Sequence, residues 1–134
     1  MLILVMKSSI FLGLGAILAG LAVAGGAFAS HALKDRLTER ALEIFETGIR
    51  YQMYHSLALL LVALFLSQSQ TGQSSLNVAG IAFLVGIVLF SGSLYALALS
   101  GIKWLGAITP LGGVAFLIGW GCIVSAAFTA KPSP

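Results

Sequence analysis

The sequence predicts an all-α fold: a four-helix transmembrane bundle with an amphipathic helical segment leading into the second span. Three observations carry this. Hydrophobic residues make up 59% of the 134 residues and charged residues 8%, against about 25% charged in an ordinary soluble domain. Eight of the eleven charges fall between Lys34 and Arg50. That leaves 52 uncharged residues at 51–102 and 27 at 104–130, runs with the length and polarity of membrane spans. A soluble enzyme is excluded by this composition, and a chain this short holds a single integral membrane domain, residues 1–134.

The first span is expected at residues 8–29, because 22 residues rising about 1.5 Å each cross a hydrocarbon core of roughly 30 Å. Ala16, Gly20 and Ala24 recur every fourth position, as do Gly15 and Ala19, and such strips let another helix approach closely. A rival reading is a cleaved signal peptide, since Ala27-Phe28-Ala29 before Ser30 has the small-x-small pattern. Against it, the apolar stretch exceeds the usual h-region of about 7–15 residues, and its one preceding cation is Lys7.

Residues 38–50 read as an amphipathic helix. Leu33, Leu37, Ala41, Ile44, Phe45 and Gly48 share one face, and Asp35, Glu39, Glu43, Glu46 and Arg50 the other. Thr38 is placed to cap its start, with Glu39 in the first turn complementing the dipole. No proline follows before Leu66, so the helix is expected to run into a second span at residues 49–67. Residues 67–75, SQSQTGQSS, form a polar hairpin linker. The third span, 76–99, carries Gly80, Gly86 and Gly92 with Ser91, Ser93 and Tyr95. A short connection follows, where Trp104 suits the aromatic belt and Lys103 can reach water. Thr109-Pro110 reads as N-cap and first helical residue, opening a fourth span at 110–128 in which Gly112, Gly113, Gly119 and Gly121 let neighbours close in.

Lys34, Arg36, Arg40, Arg50 and Lys103 lie on the side shared by the first and third connections, against Lys7 and Lys131 on the other. The positive-inside rule then makes the charged helix cytoplasmic and puts both termini outside. The net charge of +3 comes with no basic stripe, which excludes nucleic acid as a partner. The single Cys122 rules out an internal disulfide and a thiolate metal cluster, and in its apolar setting it behaves as a small hydrophobe.

One pattern is a candidate for function. His31, Glu46, Arg50, Tyr51, Tyr54, His55, Ser91, Ser93, Tyr95 and Thr109 all fall toward the same membrane face. Glu46 and Arg50 are four residues apart, so the acid is the expected partner of the guanidinium. This set reads either as a hydrogen-bonded clasp locking four helix ends together, since buried polar groups must find partners, or as a polar pocket for a lipid headgroup, quinone, proton or ion. A haem held between His31 and His55 is a further alternative. No nucleophile elbow, P-loop or zinc-protease motif is present, so neither catalytic residues nor a metal site nor a cofactor are assigned.

The residues that carry a resemblance are four ordered motifs. They are Gly26-Ala27-Phe28-Ala29-Ser30-His31-Ala32-Leu33, then Phe45-Glu46-Thr47-Gly48-Ile49-Arg50-Tyr51-Gln52-Met53-Tyr54-His55, then Phe90-Ser91-Gly92-Ser93-Leu94-Tyr95, and Gly106-Ala107-Ile108-Thr109-Pro110-Leu111-Gly112-Gly113 leading to Gly119-Trp120. In these the chain resembles the domain of unknown function 423 family, whose eukaryotic members are described as transmembrane protein 256-like. It departs at Ala29-Ser30, where the family pattern has Gly-Ala, another pair of small residues. The resemblance implies a four-span integral membrane protein, in bacteria of the plasma membrane, and supplies no activity, cofactor or site residue to carry over. It also weighs against a cleaved signal, because the first motif runs through the proposed cleavage point.

The expected function is therefore a non-enzymatic accessory, assembly or binding component. Its partners are membrane lipids and another membrane protein complex or a second copy of the chain. A small permease or proton-linked channel using Arg50, His55 and Tyr95 is the alternative, followed by a haem- or quinone-binding protein.

Overall fold

The computed structural model describes residues 2–129, with side chains from Ser8 onward; Lys131 and the side chain of Lys7, used in the charge count, lie outside it. The architecture is a four-helix transmembrane bundle: α1 (Leu2–Phe28), α2 (Glu39–Gln68), α3 (Gln73–Ser100) and α4 (Thr109–Thr129). Each helix carries a segment long and apolar enough to cross a bilayer. α2 lies at the centre, touching α1 on one flank and α3 on the other, while α3 packs along α4.

α1 ends in a π turn, Ala29–Leu33, that buries Ala29 and Leu33. The Ala29–Ser30 bond thus lies inside continuous helix. Phe11, Gly15, Ala22 and Ala29 are buried at spacings of four and seven, which sets the face of α1 that meets the bundle. Gly15 belongs to it: a Cβ there would stand 3.0 Å from the Ser56 carbonyl oxygen of α2. Ala16, Gly20 and Ala24, one residue further round, are exposed, and nothing approaches Gly20 within 4 Å. The expectation that this strip seats a neighbouring helix of the bundle is corrected: it faces outward.

Thr38 has extended backbone and accepts a hydrogen bond from the Ala41 N–H at 3.1 Å, so α2 starts at the capped residue and runs unbroken for 30 residues. At its far end the Gln73 amide reaches back to the carbonyls of Leu66 and Ser69. Those carbonyls would otherwise be orphaned at a helix C-terminus, and with them satisfied the hairpin shrinks to residues 69–72, shorter than the nine-residue linker read from composition. Gly72 makes the turn at φ +72°, a left-handed conformation that a residue with a Cβ avoids.

α3 contains a second π turn, Ile87–Ser91. In a straight α-helix, residues four apart drift by about 40° per step. The wide turn absorbs that drift, so Phe83, Ile87, Ser91 and Tyr95 all remain on the side facing the bundle. α4 follows a 3₁₀ turn, Lys103–Ala107, on which Trp104 is exposed. Because that turn leads in with helical backbone at Ile108, Thr109 has no extended cap geometry, and its hydroxyl pairs with Ser93 instead of capping α4.

The core is built by aromatic rings seated on glycines. A Cβ on Gly80 would stand 2.5 Å from the Phe11 ring, on Gly86 2.3 Å from Phe116, and on Gly119 2.5 Å from Phe83. Gly112 is the least forgiving, because a Cβ there would stand 2.4 Å from the Phe90 backbone nitrogen, which cannot rotate aside. Gly113 and Gly121, expected to let neighbours close in, have nothing within 4 Å, and neither does Gly92.

Candidate functional site

Gly48, Gln52 and Ser56 are spaced four apart on α2 and are buried, so they form one inward row. Each makes a contact between or along helices. Ser91 donates to the Gly48 carbonyl at 2.6 Å. The Gln52 amide donates to the Leu18 carbonyl of α1 at 2.8 Å, and its oxygen accepts from the Tyr95 hydroxyl of α3 at 2.7 Å. One side chain therefore bridges three helices. The Tyr95 ring lies over Gly48, where an added Cβ would meet it at 2.7 Å, and it packs on Phe45 with centroids 4.9 Å apart. Ser56 closes the row by donating to the Gln52 carbonyl.

A second set joins α2, α3 and α4. Ser93 and Thr109 share a hydrogen bond of 2.6 Å. The Trp120 indole donates to Nε2 of His55 at 3.1 Å, and Nδ1 of His55 contacts the Tyr51 carbonyl at 2.7 Å. An indole N–H can only donate, so Nε2 must accept and Nδ1 must carry the proton. The imidazole is thereby held as one neutral tautomer. It is stacked on Phe116 with centroids 3.5 Å apart and planes within 6°.

Of the ten residues placed together by depth, the structure gathers His55, Ser91, Ser93, Tyr95 and Thr109 into these contacts, with Tyr51 joined through its carbonyl. The others stand apart. Arg50 is two residues from both Gly48 and Gln52, about 200° round the helix, and is exposed. Its guanidinium bonds the Thr47 hydroxyl at 3.1 Å, and among the described residues the single ion pair is Arg40–Glu43. The expected Glu46–Arg50 pair is thus absent. Tyr54 is exposed beside Tyr51, their rings 5.7 Å apart. His31 lies midway between buried Ala29 and Leu33 on the π turn, which points it outward, and it is exposed.

The haem reading does not fit these residues. His31 is outside the cluster, and both ring nitrogens of His55 are engaged within the protein, leaving no lone pair for iron. No group of three or more metal-binding side chains occurs among the described residues.

Depth alone overlooked Gln52, Ser56 and Trp120. Helical phase would have found the first two, since both lie in register with Gly48. At the far end of the bundle Ser8 plays a similar part, donating to the Ala63 carbonyl at 2.8 Å.

Arg50→Leu and Glu46→Ala are accordingly expected to change stability by no more than about 0.5 kcal/mol, as for surface substitutions that break no buried contact. Detergent unfolding curves check this, and a loss above about 1 kcal/mol in either variant would reinstate the ion pair.

A model of the family described as "Protein of unknown function (DUF423)" matches residues 25–113, a stretch that includes the inward row of α2 and its partners on α3. The chain is 52% identical over 118 residues to the UPF0382 membrane protein YwdK of Bacillus subtilis, covering 88% of this chain and 95% of that protein. It is 49% identical over 119 residues to a UPF0382 membrane protein of Staphylococcus epidermidis, covering 87% and 93%. A Staphylococcus aureus relative, UPF0382 membrane protein SAB0533, is 46% identical over 121 residues, covering 89% and 95%. No solved structure matches. With the family model and these near full-length matches in agreement, the chain belongs to the DUF423 family of membrane proteins.

Proposed function

We propose that the chain is a non-enzymatic accessory or assembly component of a bacterial plasma membrane, a rigid bundle that engages another membrane protein. The observation that supports this is how its polar groups divide. Inside the bundle, Gln52, His55, Ser91, Ser93, Tyr95, Thr109 and Trp120 bond one another or nearby backbone, so the interior offers a substrate little that is unpaired. Outside it lie the charged start of α2 and the bare strip of α1. α1 is the least covered helix, with 17% of its apolar window buried against 44% in α2 and α3. Small residues on an open helix face suit close packing by a further helix.

In this reading the charged helix is cytoplasmic and the termini are outside, following the basic residues. A photo-crosslinking amino acid at Gly20 is expected to capture a second membrane protein in cells, while one at Val88, on the lipid-facing side of α3, is not. A cysteine at Glu43 in a Cys122→Ala background should react with an impermeant maleimide only after the cells are opened. Failure of the Gly20 probe to capture a partner, together with proton flux into liposomes carrying the purified chain, overturns the proposal in favour of a small permease. Labelling of Glu43→Cys in intact cells overturns the orientation.

A further inference from the structure

Between α2 and α4 the bundle leaves an open groove of about 480 Å³, walled by Tyr51, Phe90, Val114, Phe116, Leu117 and Trp120. Its depth is apolar in effect. The two polar groups there, the His55 ring and the Trp120 indole, are committed to each other and to the Tyr51 carbonyl, so no hydrogen bond is left for a ligand's polar end. The deep walls of this groove therefore suit hydrocarbon.

The mouth differs. Tyr51 and Pro110 stand there, Pro110 in the first turn of α4, whose partial positive charge points to the same boundary. One helical turn above Tyr51 is Thr47, whose hydroxyl accepts from the Arg50 guanidinium at 3.1 Å, so the cation is tied to a residue one turn from the groove's Tyr51. Arg50 is exposed and has no ion pair among the described residues; Glu46, one turn away, lies outside that distance and Glu43 is taken by Arg40. A guanidinium has five N–H donors in a planar fork that matches phosphate oxygens, and one contact to Thr47 leaves that capacity largely unused.

We infer that this groove is a site for an anionic phospholipid, with the phosphate at Arg50 beside Tyr51 and one acyl chain laid along α4 to Trp120. An anionic headgroup is favoured over a zwitterionic one because the Arg50 charge has no ion pair among the described residues and none of the residues lining the groove is a carboxylate. This goes beyond the accessory reading, since a lipid bound here requires no protein partner, and purified protein tests it separately.

Trp120 reports occupancy directly. In a Trp104→Phe background it is the sole tryptophan, the chain having two. The protein is reconstituted in dioleoylphosphatidylcholine vesicles containing either dibrominated phosphatidylglycerol or dibrominated phosphatidylcholine, and quenching is followed against mole fraction. The anionic lipid is expected to reach half-maximal quenching at about fivefold lower mole fraction, the preference one cation near a membrane surface gives. Arg50→Gln should bring the two curves together and Arg50→Lys should keep most of the separation, with thermal unfolding confirming that both variants fold. Gly113→Leu, which puts a side chain into the open space at the mouth, should weaken quenching by both lipids. Coincident curves in the parent protein, a preference that survives Arg50→Gln, or stronger quenching by an added neutral isoprenoid quinone than by either phospholipid would overturn the site.

Discussion

Gly112→Ala is expected to lower the stability of the bundle in detergent by about 3 kcal/mol, at the upper end of what overpacking costs, while Gly113→Ala leaves it unchanged or raises it. The two positions are adjacent on α4 and chemically identical, so the contrast isolates what each faces. A Cβ on Gly112 would stand 2.4 Å from the Phe90 nitrogen, 2.7 Å from its Cβ and 2.8 Å from its Cα. These are backbone and near-backbone atoms of α3 and cannot rotate aside, so the helices must separate. Separation would loosen the Phe116 ring from Gly86 and with it the stack on His55. At Gly113 no atom lies within 4 Å, and alanine there gains about 0.8–1 kcal/mol of helix propensity. Urea or SDS unfolding of the two variants side by side provides the measurement. Equal stability would mean that α3 and α4 are not held in the close crossing described.

The same comparison marks how far a sequence read alone can go. Membrane spans are legible because hydropathy acts over twenty residues at a time; the capped start of α2 at Thr38 is legible because a cap is local. Which glycine touches what is a different kind of fact. Gly112 and Gly113 differ only in azimuth, and azimuth is set by partners distant in sequence, as it is for Gly15 and Gly20 on α1. The site divides in the same way. Depth placed ten polar residues at one level, which is a one-dimensional statement, but Arg50, Tyr54 and His31 sit on outward azimuths at that level. Gln52 was hidden for a related reason, standing between conspicuous aromatic and charged neighbours while its phase with Gly48 and Ser56 turned it inward. The π turn of α3 was not legible at all, because the drift it absorbs exists only relative to α2 and α4.

Gln52→Leu is expected to cost about 2 kcal/mol, Tyr95→Phe about 1, and the double variant no more than Gln52→Leu alone. Leucine at 52 removes the bond to Leu18 and takes from the part-buried Tyr95 hydroxyl the Gln52 oxygen it donates to, leaving only the Ser91 hydroxyl beside it. Interhelical hydrogen bonds in membranes contribute about 0.6 kcal/mol on average and up to roughly 1.7, and an orphaned buried donor adds its own desolvation cost of about 1–3 kcal/mol. Phenylalanine at 95 keeps the ring over Gly48 and against Phe45, so it loses only the hydroxyl. Once leucine occupies 52, that hydroxyl is a liability, and removing it relieves the penalty. The cycle should therefore show a coupling of about 1 kcal/mol, larger than the average for such pairs because Gln52 is simultaneously anchored to α1. Strictly additive losses would mean that α1, α2 and α3 are joined by ring and glycine packing alone, with the Gln52 bridge contributing nothing to their union.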